Sequence, residues 1–253
     1  MVGAGAGRRG GIVSIHLVGG GWSEDYDGQV YAAFVAEATE RGARVGRTIP
    51  RIGVLLVRED EDVAADRAQQ YREQLARVGL TEPAVTAIVE GELFASAALN
   101  DIDGLLIGGG LTPAYLDAVQ PIVDEIRLLV GDGLPYLGFS AGAAIASDAA
   151  LIGGWRIGGV PVCPEAASED LDEVTIVEGI GLVDLAIDVH AAQWGTLSRL
   201  VAATEAGLIE GGLAIDEFTA IVVDDDGLRV IGRGSVWQVS AEDEGVIVST
   251  VGE

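Results

Sequence analysis

The sequence predicts an α/β fold, with a doubly wound and mostly parallel β-sheet flanked by helices and a β-hairpin extension at the C-terminal end. Short runs rich in Val, Ile and Leu recur along the chain, and segments with apolar residues at helical spacing separate them. The chain has 253 residues, of which 49% are hydrophobic, so it can bury one large core. Strands that alternate with helices form parallel sheets, whose functional residues follow the carboxyl ends of the strands.

The first half of the chain provides the parallel strands and the helices between them. Apolar runs predict strands that are buried on both faces, and segments with one apolar and one polar face predict the helices. The predicted strands are residues 12–18, 52–57, 85–89, 104–107 and 135–139, and the predicted helices are residues 29–41, 63–78 and 115–130. Residues 1–10 are rich in Gly and Ala, and we expect a flexible tail there before one domain of residues 11–253.

After residue 140 the pattern changes. Residues 153–172 are rich in Gly, Pro and acidic residues, which predicts a long loop. Beyond that loop we predict strands at residues 174–177, 186–190, 220–223 and 230–239 and a helix at residues 197–206. Three aspartates and a glycine at residues 224–227 form the expected turn of a hairpin. We expect this C-terminal third to extend the same sheet.

Acidic residues dominate the charge of the chain. There are 40 Asp and Glu against 15 basic residues, all of them Arg, which gives a net charge of −25. Nucleic acids and anionic membranes are bound through clustered positive charge, so we expect neither as a partner. The single cysteine, Cys163, excludes an intrachain disulfide and a cysteine-based zinc site. Because no apolar stretch has the length of a membrane span and no secretory h-region precedes Asp25, we expect a cytoplasmic protein; a homodimer stays open.

The clearest functional motif surrounds Ser140. This serine lies between Gly138 and Gly142, after the apolar run 135–139 and before the Ala-rich segment 141–146. The pattern is typical of a hydrolase nucleophile elbow, in which glycines allow a tight strand-to-helix turn that exposes the serine hydroxyl. The alternative is an ordinary N-cap serine at the start of a helix. We favour the nucleophile because a strand and a helix flank the serine as the elbow requires.

A serine nucleophile needs hydrogen-bond donors that stabilise the negative charge on the substrate carbonyl oxygen. The N–H of Ala141, at the start of the predicted helix, is one expected donor. Three consecutive glycines follow the predicted strand 104–107, and glycine lets the backbone approach a substrate closely. We therefore predict that Gly109 and Gly110 complete an oxyanion region, although three glycines alone also fit a phosphate-binding turn or a simple tight loop.

The chain has only two histidines, so few candidates exist for the general base. His16 lies inside the first predicted strand, where a structural role is expected, whereas His190 ends an apolar strand at the position typical of catalytic residues. We therefore predict His190 as the base. The residue pattern leaves the acid that orients it open, the candidates being Asp148, Glu165, Glu169, Asp170, Asp188, Asp216 and Glu217.

Four stretches of the chain form a recognisable set. They read IGGG at 107–110, PYLGFSAGA at 135–143, DVHAAQWGTLSRL at 188–200 and GLAIDEFTA at 212–220. Together they make the chain resemble the serine peptidases of the dipeptidase E and cyanophycinase family, which share a fold with class I glutamine amidotransferases. The resemblance implies that Ser140 is the nucleophile, that His190 is the base, and that Gly109, Gly110 and Ala141 form the oxyanion region. It also implies hydrolysis of small peptides or isopeptides, typically at Asp-X or β-aspartyl linkages, without a metal or a cofactor.

The resemblance also implies contacts to the substrate. We expect them from Asp188, Gln193, Arg199 and Leu111. Cyanophycinase-like members carry a cluster of arginines after the histidine, of which only Arg199 is present here, and Trp194 and Thr196 replace two others. Leu111 stands where the family usually has Asn, Asp or Gln. Because Arg binds carboxylates, these differences predict a substrate other than cyanophycin.

The family's triad acid is expected in the loop after the elbow helix. Residues 151–163 contain no acid, so Glu165, the nearest acid beyond them, is the predicted third catalytic residue. The missing acid and the altered arginine cluster favour the alternative of a catalytically silent binding or interaction protein that keeps the fold. An amidotransferase-like subunit is disfavoured, because that class has Cys at the elbow.

Overall fold

The computed structural model describes residues 14–23, 28–225, 227–243 and 245–251. In the first half of the chain, strands and helices alternate. They are β1 (Ile15–Val18), α1 (Gln29–Arg44), β2 (Arg51–Arg58), α2 (Glu61–Val78), β3 (Glu82–Val89), β4 (Gly104–Ile107), α3 (Thr112–Val119), α4 (Val123–Gly131) and β5 (Tyr136–Phe139). The expected tail, residues 1–10, and the first two residues of the predicted strand 12–18 lie outside the described residues. The division into a tail and one domain therefore stays a prediction.

The second half of the chain is richer in strands. Its elements are α5 (Ala141–Ala144), β6 (Ala149–Gly153), β7 (Arg156–Ile157), β8 (Val160–Pro161), β9 (Thr175–Glu178), β10 (Ala186–Val189), α6 (Ala191–Trp194), α7 (Leu197–Glu205), β11 (Gly211–Ile215), β12 (Thr219–Asp224), β13 (Gly227–Gly232), β14 (Val236–Glu242) and β15 (Gly245–Thr250). The predicted loop 153–172 contains the short antiparallel pair β7 and β8. None of the helices in the described ranges combines the length and the apolar character that a membrane crossing requires.

A seven-stranded sheet forms the centre of the fold, in the order β13-β12-β1-β5-β4-β2-β3. The five strands β1, β5, β4, β2 and β3 are parallel, and β12 pairs antiparallel with β1 on one side and β13 on the other. The predicted α/β class with a mainly parallel sheet and a C-terminal hairpin is thus confirmed. Because the five strands are parallel, their carboxyl ends lie along one edge of the sheet.

Helices cover both faces of this sheet. On one face Phe34 of α1 and Leu75 of α2 pack in a cluster with Leu106, and on the other Tyr115 of α3 packs in a cluster with Leu105. Leu105 and Leu106 are neighbours on β4, and the alternation of side chains along a strand sends one to each cluster. Full burial of such a side chain contributes about 1.5–3 kcal/mol. The strands that end at the site are therefore held by apolar packing on both faces.

The predicted helix 115–130 is wrong as a single helix. The chain forms α3 and α4 instead, with a 3-10 turn at Gln120–Ile122 between them. Pro121 explains the interruption, because proline has no backbone N–H for a helical hydrogen bond and its ring clashes with the preceding turn.

The C-terminal third does not extend one sheet throughout. Only β12 and β13 join the central sheet, as a hairpin in which Asp224 pairs with Gly227, whereas β10, β11, β14 and β15 form a separate four-stranded sheet. The predicted strand 230–239 is therefore wrong as one strand, since it divides into β13 and β14. Gly232, with φ +122°, marks the division, and a Cβ there would overlap the carbonyl oxygen of Phe218.

Candidate active site

Ser140 lies at a tight turn between β5 and α5. Its backbone has φ 53° and ψ −110°, a conformation that L-residues rarely adopt. Two glycines make the turn sterically accessible: a Cβ on Gly138 would overlap the carbonyl oxygen of Gly142, and a Cβ on Gly142 would overlap that of Ile107. The Ser140 side chain makes no N-cap hydrogen bond, so the alternative of an ordinary N-cap serine does not describe it.

His190 directly follows β10 and contacts Ser140. The Ser140 hydroxyl lies 2.8 Å from His190 Nε2. The backbone N–H of His190 donates to the carbonyl oxygen of Gly19 at 2.9 Å. His190 has a left-handed backbone, with φ 56°. Gly20 follows β1 and leaves room for the imidazole, because a Cβ at Gly20 would overlap His190 Cε1. The ends of β5, β10 and β1 thus bring the hydroxyl and the ring together.

The carboxylate on the other side of the imidazole belongs to Glu217, in the turn between β11 and β12. Its Oε1 atom lies 2.8 Å from His190 Nδ1. A carboxylate can only accept, so Nδ1 carries the proton and Nε2 accepts from the Ser140 hydroxyl. This geometry corrects the prediction that Glu165 is the third catalytic residue. Glu165 is exposed on a 3-10 turn that lines the same cleft, and the carboxylate next to the ring is that of Glu217.

Several hydrogen bonds fix the turn that carries Glu217. The Glu217 N–H donates to Gln193 Oε1 at 2.9 Å. The neighbouring Asp216 accepts from the backbone N–H of Ala192 at 3.0 Å and from that of Ser235 at 2.9 Å. Gln193, which we expected to contact the substrate, is therefore engaged in holding the loop of the acid.

The imidazole of His190 is largely shielded from water. The ring of Trp194 stacks on it with 3.8 Å between centroids and an angle of 6° between the planes. Burial lowers the pKa of His190 below its ordinary value, while the hydrogen bond and the charge of Glu217 act in the opposite direction. Burial thus favours the neutral imidazole, which has an accepting nitrogen next to the serine.

The backbone N–H groups of Ala141 and Gly110 have no acceptor in the described part of the chain. Gly109 lies against the serine, since a Cβ on it would come within 2.7 Å of Ser140 Cβ. Its N–H, however, donates to the hydroxyl of Tyr71 at 3.2 Å. Of the three expected oxyanion donors, the N–H groups of Ala141 and Gly110 are therefore free to donate. The expectation for Gly109 is corrected, because its N–H is bonded to the Tyr71 hydroxyl.

The three side chains open into a cleft of about 640 Å³. This volume is within the range of about 300–1,000 Å³ that is typical of sites for small ligands. Leu111, which we expected to contact the substrate, is half-buried and lines the cleft; its role stays a prediction. The lining also includes Trp22, Tyr71, Arg58 and Arg67, which the sequence did not identify.

Asp188 and Arg199 do not line this cleft. Asp188 is 1% exposed and Arg199 is 4% exposed. They form a bidentate salt bridge, in which Nη2 and Nε of Arg199 donate to the two carboxylate oxygens of Asp188 at 2.7 and 2.9 Å. Nη1 of Arg199 also donates to the carbonyl oxygens of Gly154 and Ala167. The expectation that these two side chains contact the substrate is corrected: they bind one another and fasten the 154–167 loop to the second sheet.

Comparisons with known proteins identify relatives of this chain among the peptidases. The chain is similar to a cyanophycinase from Synechococcus elongatus, with 33% identity over 153 residues that cover 58% of this chain and 44% of the cyanophycinase. It is also similar to a Peptidase E from Shewanella sp. (strain W3-18-1), with 24% identity over 166 residues that cover 60% of this chain and 63% of that protein. The matched region thus spans less than half the length of the cyanophycinase.

A solved structure has the same fold. The crystal structure of a peptidase from an acI-B1 Actinobacterium superposes with a TM-score of 0.65 at 19% identity, and the match covers 96% of this chain and 97% of that one. The profile of Peptidase family S51 matches residues 68–231, more than half of the chain and a stretch that includes Ser140, His190 and Glu217. The chain therefore belongs to peptidase family S51.

Proposed function

We propose that this protein is a serine-type peptidase that hydrolyses small peptides or isopeptides, with Ser140, His190 and Glu217 as its catalytic triad. One observation carries the proposal: two hydrogen bonds of 2.8 Å link the serine hydroxyl, the imidazole and the carboxylate in series, and all three residues line one cleft. This is the arrangement that activates a serine in hydrolases of unrelated folds.

The reaction follows from the roles of these groups. As Ser140 Oγ adds to the carbonyl carbon of the substrate, its proton passes to His190 Nε2, and the N–H groups of Ala141 and Gly110 stabilise the oxyanion. The imidazolium gives that proton to the amine nitrogen as the C–N bond breaks, which leaves an acyl group on Ser140. Water then attacks the acyl carbon, Nε2 takes a proton from it, and this proton returns to Ser140 Oγ as the acid product leaves.

The pKa of His190 suits this role. A general base must be neutral at the working pH, and burial keeps the pKa of the ring below its ordinary value. Glu217 stabilises the imidazolium once it has formed, because its carboxylate faces Nδ1. Both effects support proton transfer at neutral pH.

The substrate that we propose is a small peptide with an Asp-X or β-aspartyl linkage. The volume of the cleft supports a ligand of about the size of a dipeptide or tripeptide. The relatives named cyanophycinase and Peptidase E support peptide hydrolysis as the reaction class. The alternative of a silent binding protein loses one of its two grounds, since Glu217 provides the acid that seemed to be missing after the elbow helix.

A panel of dipeptides tests this proposal. The wild-type protein is incubated with Asp-X, β-Asp-X and neutral dipeptides, and the release of amine is measured. The Ser140→Ala variant is assayed beside it, and the control is Ser96→Ala, which alters an exposed serine distant from Ser140 in the sequence. We expect turnover by the wild type and by the control, and none by Ser140→Ala. Equal turnover by Ser140→Ala, or no turnover of any dipeptide, would reject the peptidase.

A further inference from the structure

Arg58 is a buried cation at the edge of the cleft. It is the last residue of β2, only 8% of it is exposed, and it lines the cleft that contains Ser140. Its Nη1 atom donates to the carbonyl oxygen of Val57 at 2.9 Å, whereas its Nε atom is buried and has no acceptor. No carboxylate within the described ranges forms an ion pair with it.

Such an arrangement costs stability. A buried charge without a partner is unfavourable, and a guanidinium cannot escape the cost by losing its proton. The buried guanidinium of Arg199, by contrast, is neutralised by the two oxygens of Asp188. In a chain with 40 acidic residues, a buried arginine that lacks a carboxylate partner indicates that an anion arrives from outside.

The position of Arg58 says where that anion would bind. A Cβ on Gly110 would overlap Arg58 Nη1, so the guanidinium lies directly against the backbone of Gly110. The preceding Gly109 lies against Ser140, because a Cβ on Gly109 would come within 2.7 Å of Ser140 Cβ. Gly109 and Gly110, which have no side chains, thus connect the surroundings of this cation with those of the nucleophile.

The other charged groups of the cleft have different surroundings. Arg67 stacks over the ring of Trp22 at 5.0 Å, and Glu217 is bonded to the imidazole. Glu169 accepts from the backbone N–H of Thr112 at 2.8 Å. The remaining acids of the lining, Glu59, Glu165 and Asp170, are exposed side chains. Arg58 is consequently a largely buried cation of the cleft lining that forms no ion pair with these acids.

We propose that Arg58 is a specificity-determining residue that binds a carboxylate of the peptide substrate next to the scissile bond. This inference rests on the proposed peptidase function and adds the residue that binds the substrate carboxylate. The planar guanidinium matches a carboxylate through paired hydrogen bonds, and the low exposure of the site strengthens them. Arg58 thus provides, from β2, the carboxylate binding that the buried Arg199 cannot provide from α7.

Two carboxylates of a dipeptide could fill this site, the side chain of an N-terminal Asp and the C-terminal carboxylate. Three substrates distinguish them: Asp-Leu amide against Asn-Leu amide varies the side chain alone, and Asn-Leu against Asn-Leu amide varies the C-terminus alone. In the wild type we expect kcat/KM to favour one carboxylate substrate over its neutral isostere by about 10- to 100-fold, the value of a charged hydrogen bond. The pair that shows the preference identifies the carboxylate.

The variants Arg58→Gln and Arg58→Met test the assignment. We expect both to reduce that preference to within about threefold, and we expect Arg72→Gln, which removes an exposed charge from the neighbouring α2, to keep it. A ratio of two substrates is insensitive to the amount of folded enzyme. In addition, Arg58→Met should unfold at an equal or higher temperature than the wild type, because it removes a buried charge that has no partner.

Addition of succinate gives a readout that needs no turnover. A dicarboxylate that binds only the folded protein raises its unfolding temperature, and we expect this rise in the wild type and in Arg72→Gln but not in Arg58→Met. A preference that survives in both Arg58 variants, or a wild type without any preference, would overturn the inference and leave the peptidase standing if the dipeptides are cleaved. Absence of Ser140-dependent cleavage would reject the peptidase itself.

Discussion

Replacement of Glu217 by Gln tests the part of the triad that sequence reasoning assigned to another residue. The variant keeps the shape of the side chain but removes the charge that faces His190 Nδ1 at 2.8 Å. An amide can donate to Nδ1, which would leave the ring proton on Nε2. A protonated Nε2 cannot accept a hydrogen bond from the Ser140 hydroxyl. Loss of the orienting carboxylate in serine hydrolases reduces kcat by about 10⁴, and an effect of about 10²–10⁴ is expected here because 20% of the Glu217 side chain is exposed.

The same substitution predicts the direction of a pH shift. Glu217 raises the pKa of His190, so its removal lowers that pKa further below the ordinary value. The acidic limb of the kcat/KM profile should therefore move to lower pH in Glu217→Gln, while the plateau falls. The assay is dipeptide hydrolysis between pH 4 and pH 9, a range set about the ordinary pKa of histidine of about 6.5.

Glu165→Gln is the matched control for this experiment. Glu165 lines the same cleft but makes no hydrogen bond to His190, and we expect its change to alter kcat/KM by less than about threefold. If Glu165→Gln lost as much activity as Glu217→Gln, or if Glu217→Gln retained full activity with an unchanged profile, the reasoning from the hydrogen bond would be refuted.

Three further substitutions test the surroundings of the triad. Gly20→Ala places a Cβ in the volume of His190 Cε1 and should reduce kcat/KM by about 10² without unfolding the protein. Trp194→Ala exposes the stacked imidazole, so the pKa of His190 should rise toward its ordinary value and the acidic limb of the profile should move to higher pH. Arg199→Gln leaves the buried Asp188 without its partner and should lower the free energy of unfolding by about 3–5 kcal/mol in urea denaturation.

Two of these experiments, those on Gly20 and Arg199, have a comparison variant. Gly46 also has a left-handed backbone, with φ +82°, but nothing lies within 4 Å of a Cβ there, so Gly46→Ala reproduces the backbone strain without displacing the ring. Arg72→Gln removes an exposed arginine and should change the free energy of unfolding by less than about 0.5 kcal/mol. Full activity in Gly20→Ala, an unmoved limb in Trp194→Ala, or equal stability of the two arginine variants would each contradict the corresponding argument.

The sequence predicted the central sheet and the elbow because both depend on local patterns. Buried parallel strands require continuous apolar runs, and the turn at Ser140 requires glycines at fixed positions on either side of it. The second sheet was not predicted, because nothing in a run of apolar residues says which sheet a strand joins. The chain changes direction at Gly232 and the residues after it, which lie inside the single predicted strand 230–239.

The acid and the substrate contacts depend on contacts between distant parts of the chain. Glu217 reaches His190 because β10 and β11 are parallel neighbours, so the residues after each strand lie side by side. Recognition of 211–215 as a strand would have favoured Glu217 over Glu165. For Asp188 and Arg199, the residue types indicate only that they can bind opposite charges, and the structure shows that they bind each other.

Arg58 shows a further kind of limit. Its sequence position, at the end of an apolar run and before two acidic residues, is equally compatible with an exposed strand end. Only the structure shows that its guanidinium is buried beside Gly110 and lacks a carboxylate partner among the described residues. A charged residue that closes a buried parallel strand is a signal worth weighing in such chains, because the cleft lies at the carboxyl ends of the strands.

Covalent labelling of Ser140 tests the central claim most directly. The intact protein is treated with a fluorophosphonate, and the adduct is located by mass spectrometry in the wild type, Ser140→Ala, His190→Ala and Ser96→Ala. We expect one adduct, at Ser140, that is absent in Ser140→Ala, forms at least about 10² more slowly in His190→Ala, and is unchanged in Ser96→Ala. An unlabelled wild type, or an adduct on another serine, would contradict the account.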